Sequence, residues 1–109
     1  MSSKPLHDKI AIVTAGTLGI GYAIAQKLLE DGATVLINSR NKKNVDDAVE
    51  SLKSYGTVHG LAGNIGQSEI RKRLIQDAVD KFGRIDILIS NVAVNPVFGM
   101  LTYSITYMQ

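Results

Sequence analysis

The feature that most constrains this chain is a change of apolar period between residues 10 and 25, in the stretch IAIVTAGTLGIGYAIA. Ile10 to Val13 is an apolar run too short for a buried helix and reads as a strand. A loop of mostly small residues follows, Thr14-Ala15-Gly16-Thr17-Leu18-Gly19-Ile20-Gly21. After it the period becomes helical, with Ile20, Ala23, Ile24, Leu28 and Leu29 expected on one side. A strand, a glycine turn and a helix in that order form a phosphate cradle. The glycines let a ligand approach the backbone closely, and the unpaired N–H groups of the first helical turn face an anion. The helix dipole adds partial positive charge at the same end. The order of elements predicts the pyrophosphate site of a dinucleotide-binding fold.

The rest of the chain repeats the unit. The first helix is expected to end near Asp31, with Gly32 able to take the left-handed conformation that closes a helix. Thr34 to Ser39 is β-branched and reads as a second strand. Asn41 is the expected N-cap of a second helix, with Val45, Ala48, Val49, Leu52 and Tyr55 on its stripe and Gly56 at its end. Thr57 to Leu61 is a third strand interrupted by His59 and Gly60. Ser68 should cap a third helix that faces inward through Ile70, Leu74, Ile75, Ala78 and Phe82 and stops at Gly83. Ile85 to Ser90 is a nearly apolar fourth strand, as expected of one covered on both faces. Regular alternation predicts an α/β fold: a Rossmann-like parallel sheet of strand order 3-2-1-4 with right-handed crossovers. From Asn95 onward a loop marked by Pro96 and Gly99 leads to the uncharged LTYSITYMQ, strand-like in composition. Residues 1–109 are read as a single, partial domain that ends after the fourth strand, where a doubly wound fold would continue.

Composition excludes several functions. There is no cysteine, hence no disulfide, thiolate ligand or cysteine nucleophile. His7 and His59 lack ligand-like spacing, so no metal site is expected. The net charge of +2 is dispersed, and Lys42-Lys43 and Arg71-Lys72-Arg73 read as solvated helix starts rather than a nucleic-acid footprint. No apolar run approaches the length of a membrane span, and MSSKPLHDK resembles neither a secretory signal nor a transit peptide. A cytoplasmic location is the expectation.

The second informative position is Asn38-Ser39-Arg40, where such folds face the adenosine ribose. An acidic residue there would bind the free hydroxyls of NAD, and a basic one the 2′-phosphate of NADP. Here there is no acid; Ser39 offers a hydroxyl and Arg40 a planar fork suited to phosphate, with Asn41, Lys42 and Lys43 as further donors. Alone, Arg40 would pass for a solvated loop residue; beside the glycine loop it favours NADP(H). Asn91 could orient the cofactor or act as a turn residue, and Asn64-Ile65 could border the adenine ring.

Together these residues resemble the short-chain dehydrogenase/reductase family, whose pattern is TGxxxGxG after the first strand, an aspartate-hydrophobic pair after the third and NNAG after the fourth. Here they read Thr14 to Gly21, Asn64-Ile65 and Ser90-Asn91-Val92-Ala93, and the resemblance extends from Lys9 to Gly99. VTAGTLGIGYAIAQ, INSRNKKNVDDAV and DILISNVAVNPVFG are similar to its NADP-dependent retinal and carbonyl reductases. The resemblance implies NADP(H) contacts from Ala15, Gly16, Thr17, Leu18, Gly19, Ile20, Ser39, Arg40, Asn41, Asn64, Ile65, Asn91, Val92 and Ala93. Three departures stand out: Ala15 replaces a glycine, Asn64 an aspartate and Val92 a small alanine, the last threatening overpacking worth roughly 1–3 kcal/mol. Family catalysis needs a Ser and a Tyr-x-x-x-Lys pair, the Tyr giving its proton to the carbonyl oxygen and the Lys lowering its pKa. No lysine follows Lys81, and four residues after Tyr103 stands Tyr107, so no catalytic residue is assigned here. No peroxisomal tripeptide ends the chain. The implied reading is the NADP(H)-binding half of a carbonyl/retinal-type reductase, with a carbonyl substrate only in a full-length form. The alternative is a non-catalytic, truncated isoform that self-associates or pairs with full-length subunits through the strand edge near Ile85 to Ile89. In a third reading the LTYSITYMQ tail folds back over that edge.

Overall fold

The computed structural model describes residues 4–15, 19–95 and 100–107, with side chains described only up to Ser90. Strand β1 (Ile10–Thr14) is buried along its whole length, as its unbroken apolar run requires of a strand covered on both faces. Helix α1 (Gly19–Glu30), strand β2 (Thr34–Ser39), helix α2 (Lys42–Leu52), strand β3 (Val58–Ala62) and helix α3 (Ser68–Phe82) follow, then strands β4 (Ile87–Asn95) and β5 (Met100–Tyr107). The sheet order is β3-β2-β1-β4-β5. The first four strands form the expected parallel 3-2-1-4 arrangement, with Ile12 opposite both Leu36 and Leu88, and Ile37 opposite Gly60.

The parallel part of the sheet stops at the fourth strand as expected, and the LTYSITYMQ segment folds back over its margin, as the third reading has it, to add a fifth strand. β5 runs antiparallel to β4, from Ile87↔Tyr107 to Val92↔Thr102, with a register shift before Asn95↔Met100. The edge assigned to residues 85–89 is therefore interior, and Ile87 and Ile89 are buried. β4 begins two residues later than expected, and pairing of Asn91, Val92 and Asn95 with β5 carries it on to Asn95. Asn91, Val92 and Ala93 are strand residues rather than the exit from a strand.

Alternation divides the core. Ala11, Val13, Val35 and Ile37 face α1 and α2 and pack with Ala25, Leu28, Leu29, Ala48 and Leu52. Ile12, Leu36 and Leu61 face α3 and pack with Leu74 and Ala78. α1 buries Gly21, Ala25, Leu28 and Leu29, while Ile20 is 42% exposed and Ala23 is exposed. At 3.6 residues per turn, Ile20 and Ala23 lie about 140° and 160° round the helix from Ala25, so the expected stripe was set too wide. On α3, Ile75 is likewise 53% exposed, because its neighbour Leu74 takes the inward position.

Helix ends follow local hydrogen bonding more closely than glycine position. α3 stops at Gly83, left-handed at φ 85°, whose N–H donates to the Val79 carbonyl. α2 instead ends at Leu52 with Lys53 still helical, unwinding through a bond from Tyr55 N–H to the Leu52 carbonyl before Gly56 is reached; Tyr55 is exposed. Ser68 is the first helical residue of α3 rather than its cap. Gln67 occupies the cap position without a side-chain bond, and Arg71 Nη1 pins the preceding turn through the carbonyls of Ile65 (3.0 Å) and Gly66 (2.9 Å). Gly60 does not interrupt β3: a Cβ there would strike the Val45 and Val49 side chains, so its bare backbone is what lets α2 lie close on the sheet.

At the sheet end where β1 begins, Asp86 is buried and clamps β1 to the start of β4. Its carboxylate accepts from Ile10 N–H (2.8 Å) and Arg84 Nε (2.9 Å), and its own N–H donates to the Ile10 carbonyl (2.8 Å). Arg84 also donates to the Asp8 carbonyl at 2.6 Å.

Candidate functional site

At the opposite end, the tips of β1, β2, β3 and β4 open onto a cavity of about 500 Å³. Its walls are Thr14, Ala15, Asn38, Ser39, Arg40, Asn41, Asn44, Asn64, Ile65, Gly66 and Ser90. The cavity gathers Ala15, Ser39, Arg40, Asn41, Asn64 and Ile65 from three separate loops, all of them expected from the sequence. Gly19 and Ile20 open α1 but are not part of its wall, and Asn91 to Ala93 continue β4 beyond Ser90. Gly16, Thr17 and Leu18 lie outside the described residues.

Each loop is shaped by its own chemistry. Ala15 holds φ 52°, the left-handed region that its methyl group disfavours, as its replacement of a glycine foreshadowed. Gly19 holds φ 57° with open space where a Cβ would stand, so its requirement is conformational and not steric. After β2, Asn41 is extended and its Oδ1 accepts from Asn44 N–H at 3.1 Å, capping α2 as its residue type predicts. That cap sets the start of α2, and the positive end of its dipole, at the cavity rim. After β3, Asn64 Oδ1 accepts from Gly66 N–H at 2.9 Å. The oxygen of Asn64 is thus committed to shaping its own turn.

The charge pattern is one-sided. Arg40 is exposed on the rim and makes no ion pair or hydrogen bond within the described residues, and no Asp or Glu lies on the cavity wall. Lys42 and Lys43, expected as further donors, pair with Asp46 (2.8 Å) and Asp47 (2.9 Å) one turn along α2. The hydrogen bond to Asp47, with its charge, raises the Lys43 pKa above the usual lysine value. An arginine and the start of a helix each favour negative charge nearby.

The residue that the sequence reading undervalued is Asn38. It is 2% exposed, and its Nδ2 donates to the carbonyls of Leu61 (2.9 Å) and Gly63 (3.2 Å). Both partners are acceptors, so the amide orientation is fixed and Oδ1 remains an acceptor on the cavity wall. Asn38 also ties the tip of β2 to the turn carrying Asn64 and Ile65. Thr14, Asn38 and Ser90 stand two residues beyond Ile12, Leu36 and Leu88, on the α3 side of adjacent strands. That switch from apolar to polar at a shared strand level is the sequence signal that marks the row. Within the described residues, no cluster of three or more His, Cys, Asp or Glu side chains could hold a metal ion.

A family model described as short chain dehydrogenase matches residues 9–107. "Dehydrogenase/reductase SDR family member 4" of Caenorhabditis elegans is 53% identical over 98 residues, which cover 88% of this chain and 38% of that protein. The protein of the same description from Homo sapiens is 51% identical, with 89% and 35% covered. The chain thus spans under two-fifths of the length of these relatives. Among solved structures, a Pseudomonas aeruginosa RhlG/NADP active-site complex superposes with a TM-score of 0.76 at 37% identity, covering 86% of this chain and 38% of that one.

Proposed function

Because this chain belongs to the short-chain dehydrogenase family, we propose that it is the NADP(H)-binding part of a reductase acting on carbonyl or retinal-type substrates. The observation that carries the choice of NADP(H) is the unpaired Arg40 beside the start of α2, over a cavity without a carboxylate. The described residues fit the adenosine half of that cofactor. Arg40 and the N–H groups opening α2 hold the 2′-phosphate, and Ser39 flanks the ribose. Ile65 lies against the base, and Asn38 Oδ1 accepts from a ligand N–H or O–H. Gly19 and the first turn of α1 face the diphosphate, and Asn91 to Ala93 border the nicotinamide side. The bound cofactor supplies a hydride to a carbonyl carbon. Proton delivery to the carbonyl oxygen calls for a Tyr-x-x-x-Lys pair, and no lysine follows Lys81 in this sequence. The share of that activity that these residues carry is NADPH binding.

Titration of NADPH and NADH by cofactor fluorescence, on the wild type and on Arg40→Ala, tests the reading. Charge-assisted bonds to phosphate are worth about 1.5–3 kcal/mol, so NADPH affinity should fall at least tenfold in the variant while NADH affinity holds. Equal affinity for the two cofactors in both proteins would end the NADP(H) assignment.

A further inference from the structure

Asn38 and Ser39, the last two residues of β2, face opposite sides of the sheet. Ser39 takes the side of α1 and α2, and Arg40, the cation of the cavity wall, leads from it into α2. Asn38 takes the side of α3 with Leu36, where the wall is uncharged and includes Thr14, Ile65 and Ser90. It is 2% exposed, and both hydrogens of its amide go to backbone carbonyls, of Leu61 in β3 and of Gly63 in the turn before Ile65. Among the described residues no donor meets its Oδ1. A buried acceptor without a donor is costly and rare, so Oδ1 points to a group that the cavity receives. Its neighbours across the turn are already engaged. Asn64 Oδ1 accepts from Gly66 N–H, and Arg71 donates to the Ile65 and Gly66 carbonyls.

We propose that Asn38 is the residue that reads the base of the bound dinucleotide. Its Oδ1 accepts a hydrogen bond from the exocyclic amino group of adenine, so the cavity selects an amino purine over an oxo purine. This inference rests on the NADP(H) reading and names the group of that cofactor that Asn38 meets. A phosphate has no donor to offer, and a ribose hydroxyl turns freely to donate or accept. The amino group of adenine donates, so a fixed acceptor can discriminate for it. The acceptor is fixed because turning the amide over would set oxygen against the Leu61 and Gly63 carbonyls and leave both without a donor. The same two bonds hold the turn that carries Ile65, so one side chain both positions the apolar surface for the base and reads the base's edge. A hypoxanthine ring would bring a carbonyl oxygen to that edge, and oxygen would face oxygen with no hydrogen between them.

Fluorescence titrations on the whole chain test the assignment, with NADPH and NADH each compared with the analogue in which hypoxanthine replaces adenine. A buried acceptor left without its donor weakens binding by roughly tenfold or more, so both analogues should bind that much more weakly than their adenine parents. Asn38→Ala should bring the two members of each pair close to equal affinity. A purely structural role for Asn38 would weaken both members alike and leave their ratio intact. Equal binding of the adenine and hypoxanthine forms by the wild type would overturn the proposal, as would a ratio that persists in folded Asn38→Ala. Should that variant fail to fold, Asn64→Ala decides: a ratio that survives there supports Asn38, and one that vanishes gives the base to Asn64. The NADH pair separates this inference from the reading it rests on. A preference for adenine without a preference for NADPH refutes the phosphate assignment alone, and a preference for NADPH without one for adenine refutes the base assignment alone.

Discussion

Replacing Asp86 by alanine should be among the most damaging single changes in the chain, although Asp86 lies at the far end of the sheet from the cavity. Two groups lose their acceptor. Ile10 N–H is buried and would be left unsatisfied, at about 1–3 kcal/mol. Arg84, half exposed and solvent-screened, adds no more than about 1 kcal/mol. The sum is about 1–4 kcal/mol, or a fall in Tm of roughly 4–30 °C for a domain of this size. Asp86→Asn keeps an oxygen for Ile10 N–H and should cost about half as much. The two variants also separate in pH. Burial by itself would push the Asp86 carboxyl up, but the Ile10 N–H and the Arg84 guanidinium, with the charge of Lys9, outweigh it and hold the carboxyl below the ordinary carboxylate value. A group depressed in the fold contributes stability that is fully present above its unfolded value of about 3.9 and is lost as pH falls through the lower folded value. Urea melts of the wild type and both variants from neutral pH downward provide the assay. The stability gap between wild type and Asp86→Asn should narrow only in the acid range. A gap that stays constant across the titration, or an alanine variant as stable as wild type, would refute the clamp.

Two further outcomes are expected. Ala15→Gly relieves a left-handed residue worth about 1–2 kcal/mol and gives back part of it through a freer unfolded chain, so thermal melts should show a net gain of about 1 kcal/mol; a loss would mean that the methyl group packs usefully. Gly60→Ala forces Val45 and Val49 aside, and overpacking of this kind costs about 1–3 kcal/mol by chemical denaturation; a neutral result would show that α2 shifts freely on the sheet.

The parallel core was legible because its signals are local. The apolar run of β1, the Asn41 cap and the closure at Gly83 each depend on a few neighbouring residues, and each is found where expected. The cavity was legible for a related reason: Ala15, Ser39, Arg40 and Ile65 all lie at or just beyond strand ends, and parallel strands deliver their ends to one side. What escaped depended on distant partners. MLTYSITY shows its strand character in composition, but its antiparallel register on β4 is a non-local pairing. Asn38 was placed at the ribose position but given no role of its own, because that role is set by the carbonyls of Leu61 and Gly63, over twenty positions away. Ser68 looked like a cap because serine usually is one; Arg71, reaching back to the preceding turn, holds that loop instead.

The absence of cationic side chains after Arg84 has a practical corollary for proteolysis. An enzyme that cuts only after lysine or arginine leaves β4 and β5 of the unfolded chain on one peptide, so the hairpin travels as a block. In the folded chain the same arginine is tethered to Asp86 and to the Asp8 backbone. Scission at that point therefore clocks how often the seam between the first and fourth strands comes apart.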